Sequence, residues 1–342
     1  MAVVKDAAYG HGAVAVAQIA LECGASWLGV STLDEALELR DAFPDASILL
    51  LGERPPEELP WCVEQGIDCC VQHGDNIQIL NRLAEKAGVP ARIHLKIDTG
   101  MSRYGVRWTE APALLKEIHA CNWLRLTGVM SHFAQSDEAD KAFALLQSNR
   151  FRQVLSVLEQ TSMPRPLRHL CNSGGFLDLP QAHFDMVRCG ILPLGVYPSM
   201  ACRRLPGIRP VMRVKTRLAT IQPIEPGDTV GYGMRWTSPT TRRIGVLPIG
   251  YGDGYPRLRN CGWVLIHGQR APIIGANAMD AIMVDLTNLP QARLWDDVVL
   301  LGTQGTEVIS VHDVATWGQT VSYNILTGWR DRLPRLYLGS TS

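Results

Sequence analysis

The sequence predicts an α/β fold, a (β/α)8 barrel followed by a smaller β-rich C-terminal domain, and three observations predict it. Over the first 190 residues, short β-like runs alternate with longer amphipathic stretches. The run Arg92-Ile93-His94-Leu95-Lys96-Ile97-Asp98 alternates polar and apolar residues strictly. After Pro193 helical periodicity nearly disappears, and short strands with turn signals take over.

Eight runs qualify as barrel strands: residues 2–5, 27–30, 47–52, 68–72, 91–98, 124–133, 167–172 and 184–190. Amphipathic stretches such as 33–43, 74–88 and 109–121 lie between them, and this alternation calls for parallel pairing with right-handed crossovers. Eight parallel strands close a barrel; a doubly wound open sheet is the alternative. Period-2 alternation puts Arg92, His94, Lys96 and Asp98 on one face. The apolar face of a barrel strand meets the helices, so this polar set points inward. Further strands are expected at 211–221, 243–249, 264–268, 282–286 and 298–301, with domains at 1–199 and 200–342.

Composition bounds the function. Hydrophobic residues at 46% and charged residues at 19% exclude a disordered chain. Lys+Arg and Asp+Glu balance at 33 each, which argues against nucleic acid as a partner. No apolar run approaches the roughly 20 residues that span a bilayer, and no signal peptide is visible. The nine cysteines lack metal-ligand spacing. The expectation is a cytoplasmic enzyme with reduced thiols, no metal and no membrane contact. The Arg242-Arg243 pair reads as solvated surface.

Barrel enzymes place their catalytic groups at the C-terminal ends of strands. Those ends carry Lys5, Asp98 to Arg103, Ser131-His132, Asn172-Ser173 and Arg188 to Ile191. Cations, an imidazole and a hydroxyl on one rim suit an anionic ligand with a planar ring. Tyr9-Gly10-His11-Gly12 follows the first strand and opens a helix. Such a turn either holds a phosphate on backbone N–H groups or simply needs glycine for positive φ. Ser173-Gly174-Gly175 and Gly190-Ile191 follow strands seven and eight, where barrels often bind phosphate.

These residues, in this order, resemble the alanine racemase family. Ala2-Val3-Val4-Lys5-Asp6-Ala7-Ala8-Tyr9-Gly10-His11-Gly12 is similar to its pyridoxal-phosphate attachment signature. Lys96 to Gly105, Ser131 to Ala134, Asn172-Ser173, Val187 to Ile191, Gly231-Tyr232-Gly233, Gly250 to Arg257 and Met279-Asp280 extend the resemblance over essentially the whole chain. It implies a barrel carrying pyridoxal phosphate, a β-domain and a head-to-tail homodimer that racemises alanine, supplying D-alanine for peptidoglycan. A serine or broad-specificity racemase, a non-catalytic cofactor-binding paralogue and a decarboxylase sharing the barrel are the alternatives.

The resemblance also implies roles. Lys5 would carry the cofactor and act as one base, and Tyr251 from the partner subunit would be the other. Arg188 would donate to the pyridine nitrogen, with His132 beside the ring. Tyr9, Ser173, Gly190 and Ile191 would hold the phosphate. Arg103 and the Met279 backbone would face the substrate carboxylate, and Lys96 matches a lysine often carbamylated (N6-carboxylated) in this family. The chain departs from the family in three ways. The sequence opens in the lysine strand, where the family normally has about thirty residues before it, which implies either a misassigned start or a truncated paralogue. Ala7 stands where Asn or Asp is usual. Ala276 and Ala281 replace an arginine and a glutamine often found there.

Overall fold

Seven parallel strands in chain order form the wall of the first compact unit, Met1–Ile208, in a computed structural model that describes residues 1–339. The elements run β1 (Ala2–Val3), α1 (Lys5–Gly10), α2 (Ala13–Glu22), β2 (Trp27–Val30), α3 (Leu33–Ala42), β3 (Ser47–Leu50), α4 (Leu59–Glu64), β4 (Asp68–Val71) and α5 (Gly74–Ala87). They continue through β5 (Ala91–Asp98), β6 (Val106–Arg107), α6 (Ala111–His119), β7 (Leu124–Met130), α7 (Ala142–Leu158), β8 (Leu167–His169) and α8 (Ser173–Asp178). β6 is a short appendage paired with β5.

The wall closes through one bridge. Ala2 lies opposite Cys189 in parallel register, the Val3 N–H donates to the Cys189 carbonyl at 2.9 Å, and the Cys189 N–H donates to the Met1 carbonyl at 3.1 Å. That closure excludes the open doubly wound sheet. The strand expected at 184–190 is thus reduced to a single bridged residue. Phe184 has φ +49°, which no extended strand tolerates, and the backbone N–H groups of Asp185 and Arg188 reach only Arg168 in β8 and Cys171 beyond it.

Side chains sort by strand parity. Ile93, Leu95 and Ile97 join Ile48, Leu50, Cys69, Val71 and Val129 in the apolar layer under the helices. Leu49, Cys70 and Met130 pack on the inner side. The inward set on β5 is therefore the polar one, as its alternation predicts. Ile77, Leu80 and Ala84 of α5 recur at helical spacing and bury against this layer, and Gly88 at φ +71° ends that helix in the left-handed conformation.

The second unit starts at Arg209. It contains β9 (Val214–Arg217), β10 (Thr220–Ile224), β11 (Arg242–Leu247), β12 (Trp263–Ile266), β13 (Gln269–Pro272), β14 (Ile282–Asp285), β15 (Asp297–Gln304), β16 (Glu307–Ile309), α9 (Val311–Trp317) and α10 (Ser322–Thr327). Two antiparallel sheets result, β10-β11-β14 and β13-β12-β15-β16 with β9 on β15. The run 211–221, read as one strand, is two. The Leu218 N–H donates to Asp296 while the Ala219 N–H donates to Val246, so the chain changes sheets between them. α9 and α10 are too short to show periodicity, although the Ser310 to Asp313 capping box marks the start of α9.

Arg242 and Arg243 are not solvated surface. Arg242 pairs with the buried Asp285 carboxylate, and Arg243 donates to the carbonyls of Leu289, Pro290 and Ala292, pinning the loop after β14. Among the described residues, no helix is long and apolar enough to cross a membrane, and no cluster of potential ligands could hold a metal ion.

Candidate active site

Lys5 stands at the barrel rim, two residues past the end of β1. The four residues after it, Asp6, Ala7, Ala8 and Tyr9, have φ values of 52, 52, 50 and 53°, forming a turn of left-handed helix. Each L-residue so placed costs about 1–2 kcal/mol, and such strain persists only where surrounding contacts over-determine it. Here the Ala8 N–H donates to Val4 at 2.8 Å and the Gly12 N–H donates to Ala7 at 2.6 Å. The Asp6 N–H donates to Glu35 Oε1 at 2.6 Å. The other Glu35 oxygen accepts from Ser31 and Thr32, completing the capping box of α3. A helix cap on the neighbouring strand connection therefore anchors the lysine's turn. Sequence reasoning missed Glu35, although Thr32-Leu33-Asp34-Glu35 carries the capping-box pattern. Ala7 sits inside the left-handed turn, a conformation that Asn and Asp enter more readily than alanine.

Tyr9 leaves this turn to lie over Gly190, where an added Cβ would fall 2.3 Å from the tyrosine hydroxyl. Only glycine leaves that space open. The Gly190 N–H donates to Ser173 Oγ at 3.2 Å, so the serine O–H is left to donate elsewhere. Tyr9, Ser173, Gly190 and the adjoining Ile191 thus come together. Burial pushes the Tyr9 hydroxyl up to about 12, with Asp6 and Cys189 adding to the effect, which keeps it a neutral donor.

Cations gather beside this cradle. Lys96, buried on the inner face of β5, donates to the Leu51 carbonyl and lies 5.3 Å from the centre of the Tyr104 ring. Burial pushes its amine down to about 8; Cys70 opposes this, while the positive charges of Arg188, Arg103 and Lys5 contribute. Lys96, Asp98, Arg103, Tyr104, Ser131 and His132 line one small cavity. Asp98 Oδ1 accepts the N–H groups of Gly100, Met101 and Ser102 at 2.9, 2.9 and 3.1 Å, which fixes the loop carrying Arg103. A wider depression lined by Ile221, Thr241, Arg242 and Arg243 lies on the second unit's sheet, but its two arginines are engaged by Asp285 and by loop carbonyls and it holds no imidazole or amine, so chemistry rather than size selects the site.

Arg188 is 3% exposed. Its Nη1 donates to His169 Nδ1 at 3.0 Å, and its Nη2 donates to the carbonyls of Ser131 and Leu170 and to His132 Nδ1, at 2.7, 3.0 and 3.2 Å. Burial brings the guanidinium down to about 10, still cationic at neutral pH. The Gln147 amide, which no sequence signal marks, donates to the His132 carbonyl at 3.0 Å and accepts from the Ala134 N–H at 2.9 Å, fixing the backbone on either side of Phe133. Burial and the Arg188 charge hold both His132 and His169 well below the usual histidine range. The unfolded chain therefore takes up protons first as pH falls. The stabilisation is complete above the unfolded histidine value of about 6.5 and is lost as pH drops toward the folded values. Two such residues give a slope reaching about 2.7 kcal/mol per pH unit. Urea denaturation from about pH 7.5 to 5.5 should show this decline; a constant midpoint would contradict neutral burial.

In the second unit Tyr251 opens a tight turn after β11. Its N–H donates to Ala278 at 3.2 Å and the Gly252 N–H donates to Met279 at 2.8 Å, so Tyr251 and Met279 share one clip. A Cβ on Gly250 would lie 2.2 Å from the Ala278 oxygen, hence the glycine. Arg332 locks the clip, reaching Asp253 at 2.8 Å and Asp280 at 2.6 Å. Ala276 is buried, and Ala281 closes the same loop by accepting from the Ala278 N–H at 2.7 Å.

Known families bear on this arrangement. The profile of the alanine racemase N-terminal domain matches residues 1–198, and that of the C-terminal domain matches residues 211–337. The chain belongs to the alanine racemase family. The alanine racemase of Halothermothrix orenii is 39% identical over 338 residues, covering 98% of this chain and 89% of the relative. That of Syntrophobacter fumaroxidans is 40% identical over 326 residues, covering 95% and 87%. Among solved structures, the alanine racemase of Streptomyces coelicolor A3(2) superposes with a TM-score of 0.94 at 36% identity, covering 99% and 91% of the two chains. That of Bartonella henselae, solved with covalently bound pyridoxal phosphate, gives 0.90 at 29% identity, covering 98% and 92%. The chain is accordingly an isomerase that racemises alanine with pyridoxal phosphate.

Proposed function

We propose that racemisation uses two bases, Lys5 on one face of the substrate and Tyr251 on the other, in a head-to-tail homodimer where each β-domain serves its partner's barrel. The observation that carries this reading is the division of groups. The first unit gathers the cradle of Tyr9, Ser173 and Gly190 with Lys5, Lys96, Arg103 and Arg188, whereas Tyr251 and Met279 share the clip of the second. Inversion at one carbon needs a proton removed from one face and returned to the other, and so two positioned groups.

The residues present fit pyridoxal phosphate. The Tyr9 hydroxyl seated on Gly190, the Ser173 hydroxyl and the Ile191 N–H suit its phosphate, and the neutral His132 suits the flank of its ring. When bound, the cofactor supplies the electron sink that acidifies the substrate's α-proton. Lys5 is the attachment point and takes or returns that proton on its own face. Arg103 and the Met279 N–H hold the substrate carboxylate. Carbamylation of Lys96 would turn a cation into an anion beside Arg103, and an amine lowered to about 8 has the neutral fraction that this modification needs. We place the enzyme in the cytoplasm, supplying D-alanine for peptidoglycan.

Arg188 offers the pyridine nitrogen a hydrogen bond but no transferable proton, since a guanidinium stays charged. The test compares Arg188→Lys with Arg188→Glu. Both should racemise more slowly, by roughly tenfold or more, because neither replaces all four hydrogen bonds. Only the glutamate, whose carboxylate would stabilise a protonated pyridine nitrogen where the lysine cation would oppose it, should also gain transamination. Equal transamination in the two variants would remove this role.

A further inference from the structure

Behind Arg188 lies a chain of buried polar groups that the reaction as described does not use. His169 Nε2 is 2.8 Å from His94 Nδ1, and His94 Nε2 is 3.5 Å from Asp68 Oδ2. Asp68, at the start of β4, is fully buried, as are both histidines. Its carboxylate also accepts from Arg92 Nε at 2.7 Å and from the Thr127 hydroxyl at 2.6 Å. A barrel interior ordinarily takes Val, Ile or Leu at such positions, and a buried carboxylate is costly to install.

We propose that Asp68 is a positioning residue that fixes which nitrogens of His94 and His169 carry protons, and thereby the acceptor that His169 presents to Arg188. The polarity follows from donor counting. Arg188 has no acceptor, so His169 Nδ1, facing it at 3.0 Å, is unprotonated and the His169 proton sits on Nε2. That proton points at His94, whose Nδ1 must accept. The His94 proton is then on Nε2 and faces the Asp68 carboxylate. The last link, at 3.5 Å, is longer than a full hydrogen bond and acts as an electrostatic contact. Burial alone would raise the Asp68 carboxyl, but His94, Thr127 and Arg92 outweigh it and hold it below the usual carboxylate range.

The backbone is shaped around this chain. β5 and β7 pair Ile93 with Leu126 and then His94 with Gly128, so Thr127 is an extra, bulged residue whose hydroxyl turns to Asp68. A Cβ on Gly128 would lie 2.2 Å from His94 Nδ1, so only glycine admits the imidazole. Solvation of Arg92 does not require Asp68, since its side chain is 39% exposed. Neutralising that arginine therefore does not account for the buried acid.

The proposal rests on the racemase reading for its catalytic consequence, and its first test does not depend on it. Holoenzyme labelled with 15N-histidine should show His94 and His169 neutral, each protonated at Nε2 only; a proton on His169 Nδ1, or a doubly protonated ring, overturns the assignment without any variant. Asp68→Asn keeps the shape but cannot accept from both Arg92 and His94, so it should shift the His94 and His169 signals. It should also lower kcat roughly two- to tenfold with little change in KM. Unaltered histidine signals in a folded Asp68→Asn protein would remove Asp68 from the relay. Altered signals with unchanged kcat would show a relay that positions nothing. If the wild-type holoenzyme does not racemise alanine, the function fails while the nitrogen spectrum still decides the protonation pattern.

Discussion

Replacing Lys5 with alanine should abolish racemisation and the visible absorbance of lysine-bound cofactor together. On the proposed roles, two losses would coincide in one side chain, the covalent anchor and a proton-transferring base. Positioned acid–base groups alone typically contribute 10²–10⁴-fold, so kcat/KM should fall by more than about 10³-fold. The fold should survive, because the Lys5 amine makes no hydrogen bond or ion pair with the described residues. The left-handed turn that presents it is held through backbone groups and Glu35. Absorbance spectra, thermal unfolding and a coupled D-alanine assay check the three statements. Retained absorbance would refute the anchor, and a collapsed melting temperature would reveal a structural role for Lys5.

Tyr251→Phe should separate the two proposed bases. The variant keeps its cofactor, since the binding cradle lies in the first unit, and loses racemisation by about 10²–10⁴-fold. Only a hydroxyl is removed; the ring stays in its clip with Ala278 and Met279. Exchange of the α-hydrogen should become one-sided. Deuterium washout from D-alanine, the enantiomer that family resemblance places against the lysine, should persist better than washout from L-alanine. Mixing Tyr251→Phe with Lys5→Ala chains should restore activity, because each mixed dimer then holds one site with both groups intact. Full activity in Tyr251→Phe removes it as a base. Silence in verified mixed dimers would place Tyr251 and Lys5 of one chain in the same site.

Much of the barrel was legible because its signals are local. Strand parity on β5 put His94 and Lys96 inside before any partner was known, and the structure agrees. Lys5 and Ser173 follow strand ends, which depend only on counting strands, whereas Arg188 comes just before the one bridged residue of the eighth. The second unit was less legible. Its helices, α9 and α10, run seven and six residues, under two turns, and the change of sheets at Leu218 leaves no trace in hydropathy.

By itself, then, the sequence determined the alternation that makes a barrel, the rim on which its cations meet and the family to which it belongs. All of these are carried by residue identity and short-range order. Tertiary structure alone decided the rest. It reduced the eighth strand to the bridge at Cys189, drew Glu35 onto the lysine's turn and threaded Asp68, His94, His169 and Arg188 into one line. His94 and His169 are 75 residues apart, and their contact depends on strand register and on a bulge at Thr127. Periodicity says which way a side chain faces. Which partner it meets there is set by how distant strands slide past each other, and that is settled only when the whole barrel closes.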